Sequence, residues 1–131
     1  MPFIDTSTWY AAFFDSEKNH GRAKALLGQA LDEKNPLHYS DYILSELLTL
    51  VRVRKGAAAS NHVLEVLLGS EAELTRVSEK HFQTAIEIFS KYPKLSFTDA
   101  VSIAIMIEKG IPEIYSFDED FDAIPRIVRV R

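Results

Sequence analysis

The sequence has no cysteine among its 131 residues, which removes disulfide cross-links, thiol nucleophiles and every thiolate metal site from consideration. Five glycines and five prolines are too few for a collagen-like repeat or a linker-rich chain. No apolar run approaches the roughly 18 residues of a membrane-spanning helix, and the opening Met1-Pro2-Phe3-Ile4-Asp5 carries neither a basic segment nor a cleavage signal. A soluble, cytoplasmic protein with no membrane partner is expected. Positive charge is not in excess either: 15 Lys and Arg against 19 Asp and Glu leave a formal net charge of −4. Holding nucleic acid by bulk charge alone is therefore disfavoured. Nuclease chemistry survives that objection, because two divalent cations on a set of carboxylates would neutralise the chain and attract a phosphodiester locally.

What is present suits a packed core. Apolar residues make up 47% of the chain and charged residues 26%, the proportions of a folded domain rather than a disordered tail, and the length predicts one domain over residues 1–131. Pro2-Phe3-Ile4 reads as a short strand in the middle of a parallel sheet, with Thr6-Ser7-Thr8 capping a helix over 9–14. Apolar residues recur at helical spacing within 20–31 and again within 41–55, where Ile43, Leu44, Leu47, Leu48, Leu50 and Val51 form the inward face and Gly56 closes the helix. Residues 37–40 predict a second strand, 57–68 another helix, 73–77 a third strand, and Ser78 opens a helix carrying Phe82, Ala85, Ile86 and Phe89. The stretch 99–107 is nearly all apolar and predicts a buried helix ended by Gly110-Ile111-Pro112. A fourth strand over 113–117, an acidic loop over 118–122 and a fifth strand over 127–130 complete the chain. Strands alternating with helices predict a three-layer α/β fold around a mostly parallel five-stranded sheet.

In such sheets ligands bind beyond the carboxyl ends of the strands. Asp5 follows Phe3-Ile4, and Asp118 follows Ile114-Tyr115-Ser116-Phe117. Glu46 sits between Leu44 and Leu47 in an amphipathic helix, and Asp99 opens the apolar one. Taken singly, each has an ordinary explanation: Asp99 as an early-helix acid with Thr98 capping, Asp118 as a turn former, Glu46 as a solvated side chain. Together, four acids with no Lys or Arg among them would repel, and a divalent cation resolves the conflict. Mg²⁺ and Mn²⁺ favour oxygen ligands and need few carboxylates from the protein. Thr6, Ser7, Thr98 and Ser116 neighbour the acids and are candidates for orienting metal-bound waters.

The ordered set Phe3-Ile4-Asp5-Thr6-Ser7, Ser45-Glu46-Leu47, Phe97-Thr98-Asp99-Ala100 and Ser116-Phe117-Asp118-Glu119-Asp120-Phe121 resembles that of a PIN domain. In size the chain is similar to the VapC-type ribonuclease toxins of bacterial and archaeal toxin–antitoxin pairs. The resemblance implies the strand order 3-2-1-4-5 with helices on both faces. It also implies a Mg²⁺- or Mn²⁺-dependent endoribonuclease with Asp5, Glu46, Asp99 and Asp118 at the acidic positions. A metal-activated water would then leave a 5′-phosphate and a 3′-hydroxyl. Three acids, Asp118, Asp120 and Asp122, compete for the fourth position; Asp118 is favoured, with Asp120 as substitute or outer-sphere helper. Thr6 and Ser116 match small hydroxyl positions of the family. A homodimer and a VapB-like antitoxin laid over the site are further implications.

RNA needs positive charge around this acidic centre, and Arg52, Arg54 and Lys55 follow Glu46 by one to two helical turns. Arg22, Arg76, Lys80, Arg126 and Arg129 are further candidates with unknown facing. His20, His38, His62 and His81 are scattered, which disfavours a histidine-pair ribonuclease. Trp9, Tyr10, Phe13 and Phe14 are read as core or partner surface rather than base-stacking groups. Four alternatives stay open: a PIN-like RNA-processing or RNA-binding protein without a toxin role, a catalytically silent interaction module, and, less well matched, a receiver-type signalling domain and a dehalogenase-like phosphatase. The last two want paired early acids, where this chain has Asp5-Thr6-Ser7.

Overall fold

Strand β1 (Pro2–Ile4) lies at the centre of a five-stranded parallel sheet in a computed structural model that describes residues 1–131. Its Phe3 and Ile4 are fully buried, as a central strand covered on both faces requires. The chain continues through α1 (Thr6–Phe13), α2 (His20–Asp32), β2 (His38–Ser40), α3 (Asp41–Lys55), α4 (Ala57–Gly69) and β3 (Glu73–Thr75). It then forms α5 (Glu79–Lys91), α6 (Phe97–Lys109), β4 (Glu113–Tyr115), a 3-10 turn (Glu119–Ala123) and β5 (Val128–Val130). The strand order is β3-β2-β1-β4-β5, all neighbours parallel.

That order steps from β1 outward to β2 and β3, then crosses back to β4 and β5. Right-handed connections place helices on both faces of a sheet whose order reverses in this way, and they open a crevice where β1 and β4 diverge. The pairing of Phe3 with Ile114 and Ile4 with Tyr115 brings the chain's first and fourth strands together at this switch. Helices pack in sequential pairs, α1 with α2, α3 with α4 and α5 with α6, while α3 also touches α1 and α6.

Several boundaries differ from the sequence expectation for local reasons. Thr6, Ser7 and Thr8 lie inside α1, because the Asp5 carbonyl already accepts the Thr8 and Trp9 amides and makes Asp5 the N-terminal cap. Thr98 does not cap α6. Ser96 does, accepting the Asp99 amide at 3.1 Å while the Asp99 carboxylate accepts the Ser96 amide at 3.2 Å. β3 stops at Thr75 and β4 at Tyr115, and the acidic loop winds into the 3-10 turn. Gly110 ends α6 in the left-handed region at φ 67°, where a β-carbon would be strained. Trp9 and Tyr10 are buried, with Trp9 edge-on to Tyr39 at 5.8 Å, so this part of the aromatic cluster is core. Phe82, Ile86 and Phe89 of α5 are 40–45% exposed, whereas Ala85 is fully buried.

Candidate active site

A cavity of about 480 Å³ opens at the β1/β4 switch, and Asp5, Glu46, Asp99 and Asp118 all line it, together with Asp120. Asp5 arrives directly from β1, and its amide donates to the Tyr115 carbonyl at 3.0 Å, so the main chain of two adjacent strands fixes its position. Ser116 Oγ donates to Asp5 Oδ2 at 2.7 Å and Ser7 Oγ donates to the same oxygen at 3.1 Å. These hydroxyls in turn accept main-chain amides, Asp118 N–H on Ser116 at 3.0 Å and Phe117 N–H on Ser7 at 3.1 Å. Through two hydroxyls, Asp5 is therefore tied to the turn that carries Asp118.

Burial dominates the electrostatics. Desolvation raises the Asp5 pKa from 3.8 to about 6, against the lowering effect of its hydroxyl and amide donors. Asp99 rises to about 7, first through desolvation and then through repulsion from Asp5. Neither forms an ion pair with a Lys or Arg; the Arg ion pairs of the chain, Arg76 with Asp41 and Arg129 with Asp122, lie elsewhere. Glu46 is exposed in α3 yet borders the cavity, so it is both a solvated residue and a wall of the site.

The three competing acids of the last turn separate cleanly. Asp122 is held by both Nε and Nη2 of Arg129 at 2.8 Å and does not line the cavity. Asp118 caps the 3-10 turn, accepting the Asp120 amide at 2.9 Å, and both Asp118 and Asp120 face the cavity. Thr6 also lines it, with a buried hydroxyl that has no protein partner. Ser7 lines it too, Ser116 lies buried behind Asp5, and Thr98 faces a neighbouring cavity instead.

No three acidic or histidine side chains are gathered into a ready ligand cluster. Like charges spread round a solvated cavity when no cation binds them together. The donor set nonetheless fits a hard divalent ion: it is all oxygen, it includes two buried carboxylates with raised pKa, and it leaves the Thr6 hydroxyl unsatisfied. Mg²⁺ commonly keeps several waters and takes only one or two carboxylates directly.

Basic side chains rim the same cavity. Arg54, Lys18 and Lys94 come from α3, the α1–α2 loop and the α5–α6 loop respectively. Arg54 also lies over the Tyr10 ring at 5.4 Å. Lys18 and Lys94 escaped the sequence reading because both sit in loops, where no periodicity reports facing. Arg52 does not reach the site: it turns toward α4, donating to Ser60 Oγ and Asn61 Oδ1 at 3.0 Å. Lys55 lies over Phe14 and bonds Ser16 outside the cavity. Arg76 and Arg129 are occupied by Asp41 and Asp122. No histidine lines the cavity.

Comparison with known proteins gives this arrangement a family. A relative from Mycobacterium tuberculosis, "23S rRNA-specific endonuclease VapC20", is 33% identical over 126 residues, covering 94% of this chain and 93% of its own. The crystal structure of M. tuberculosis VapC20, described as a Sarcin-Ricin loop cleaving toxin, superposes with a TM-score of 0.87 at 31% identity, covering 100% of this chain and 99% of that one. The VapBC2 structure from Rickettsia felis, bound to a promoter DNA fragment, shares the fold at a TM-score of 0.73 and 17% identity, covering 98% of this chain and 96% of that one. The PIN domain family model matches residues 3–127, and over that span the chain belongs to the PIN domain family.

Proposed function

We propose that this chain is a Mg²⁺- or Mn²⁺-dependent endoribonuclease, a single catalytic domain acting in the cytoplasm as the toxin of a VapBC-type pair. One observation carries the chemistry: Asp5 and Asp99 are buried, raised in pKa and unpaired in a cavity that Glu46 and Asp118 also line. Carboxylates arranged so are costly without a cation. Asp5, Asp99, Glu46 and Asp118 would hold the metal, with Asp120 as the supplementary donor. A bound divalent ion supplies Lewis-acid activation of water and neutralises charge on the scissile phosphate.

The chain's own residues supply the rest. Ser7 and Ser116 orient Asp5 by donating to one of its oxygens. The Asp99 carboxylate is likewise positioned by the Ser96 amide, which donates to its Oδ2. Arg54, Lys18 and Lys94 attract and position the flanking phosphates of an RNA strand. RNA is favoured over DNA as substrate because the one-third-identical relative is named for cleaving 23S rRNA. The VapC names of the relatives, with a VapBC2 complex and a toxin–antitoxin complex of the same fold, support a cognate antitoxin; a homodimeric assembly is part of the same proposal.

The test is endonuclease activity of the purified chain on single-stranded, structured and 23S rRNA-derived substrates in Mg²⁺, Mn²⁺ or EDTA. Cleavage that requires metal and disappears in Asp5→Asn is expected. Cleavage that persists in EDTA, or in an Asp5→Asn, Asp99→Asn double variant, would overturn the site.

A further inference from the structure

A second cavity, about 640 Å³, abuts the carboxylate cavity and shares Glu46 and Leu50 with it. Its remaining lining is Tyr42, Ser45, Thr49, Val53, Asp41 and Thr98. We propose that this cavity receives a nucleobase of the RNA adjacent to the scissile phosphate, with Tyr42 as the stacking platform and Ser45, Thr49 and Thr98 as its hydrogen-bonding groups. The inference rests on the nuclease reading and extends it to a specificity site.

Its position follows from the helix. Tyr42 lies four residues before Glu46, about 6 Å along the α3 axis, and Thr49 lies three residues after it. A nucleotide whose phosphate reaches the carboxylates therefore lays its base within one helical turn of them. The lining chemistry suits a base rather than a phosphate, since there is no free cation. Asp41 is tied to Arg76 at 3.0 Å and to the Val77 amide at 3.1 Å. The hydroxyls of Ser45, Thr49 and Thr98 make no hydrogen bond within the chain; Thr98 contributes only its carbonyl, to Ser102. Single-stranded RNA is read by this combination of an aromatic face and polar groups aimed at base edges.

Tyr42 is also braced. Its ring lies 6.2 Å from that of Phe97, which receives Phe82 and Phe89 edge-on at 5.4 and 5.7 Å. A platform held from behind loses little conformational freedom when a base stacks on it. The cavity on the other side of the site, which shares Lys94 and Asp120, is less suited to the strand because Glu119, Asp120 and Asp122 line it.

The experiment places 2-aminopurine at successive positions of a short cleavable RNA and follows its fluorescence with the full chain in EDTA, then cleavage in Mn²⁺. Quenching at one position beside the cut is expected. Tyr42→Leu should abolish that quenching and lower kcat/KM about tenfold, the scale of one lost base stack. Thr49→Val should leave the fold intact and relax the base preference there. If both variants melt like the wild type and retain its quenching and base preference, the cavity is not a base site. If they instead lose self-association while RNA handling is unchanged, it belongs to a second copy of the chain and the proposal fails. A wild-type chain that neither binds nor cleaves any RNA would overturn the nuclease reading and this one together.

Discussion

Asp99→Asn should stabilise the metal-free protein at neutral pH while abolishing cleavage. The carboxyl group titrates at 3.8 ordinarily and at about 7 in the folded chain. Between those values the folded chain keeps a proton that the unfolded chain has lost, so stability is greatest on the acid side and falls as pH rises toward 7. At about 1.4 kcal/mol per pH unit the full cost of ionising Asp99 is about 4 kcal/mol. The cavity is open to water, and screening trims the net to about 2 kcal/mol. Asparagine keeps the oxygen that accepts the Ser96 amide but carries no charge, so it escapes that cost. For a chain of this size the gain is about 8 °C in Tm at pH 8 and close to zero at pH 4. Thermal melts in EDTA across this range measure it directly. Saturating Mn²⁺ should then raise the wild type and erase the difference, since ligand binding to the native state alone adds about 2.7 kcal/mol at a hundredfold excess over Kd. A Tm gain equal at pH 4 and pH 8, or a wild type indifferent to Mn²⁺, would refute the reasoning.

Neutralising the rim should act on binding rather than on the chemical step. Arg54→Ala and Lys94→Ala should each weaken binding of RNAs of any sequence and flatten the dependence of log K on log salt by about one contact, whereas Arg52→Ala should not, as titrations at several salt concentrations would show. Ile103→Ala, at a fully buried position of α6, should lower stability by about 2–5 kcal/mol in urea melts without shifting the metal requirement of whatever folded enzyme remains.

Much of this architecture could be read from residue order alone, because helical period and strand brevity are local properties. The span of α3, 41–55, follows from its apolar spacing, the Ser40 cap and the glycine beyond it. The buried character of α6 is written in its near-absence of polar residues. Two signals were present and underused. Ser96 and Asp99 have the three-residue spacing of a capping box, which outweighs Thr98. Arg54 lies eight residues after Glu46 and Leu50 midway, so all three share one helical face, while Arg52 is rotated toward α4. The cationic loops were not readable by any such rule. Lys18 and Lys94 are 76 positions apart and meet only because the fold brings the α1–α2 and α5–α6 loops to one rim. The fate of Asp122 likewise depended on Arg129, which lies in β5, beyond the turn.

The tie between Asp5 and Ser116 joins residues 111 positions apart, so the site can be completed only late in the synthesis of the chain. A ribosome delivers the chain from its amino end, so β1 and the first carboxylate emerge well before β4 and wait beside β2 with one edge bare. Only after β4 and the following turn leave the exit tunnel does that edge close and the last carboxylate arrive. A nascent fragment that stops short of β4 lacks Ser116 and Asp118 and has no assembled cavity. For a nuclease whose nearest RNA is the machine making it, late assembly is a built-in delay between translation and cleavage.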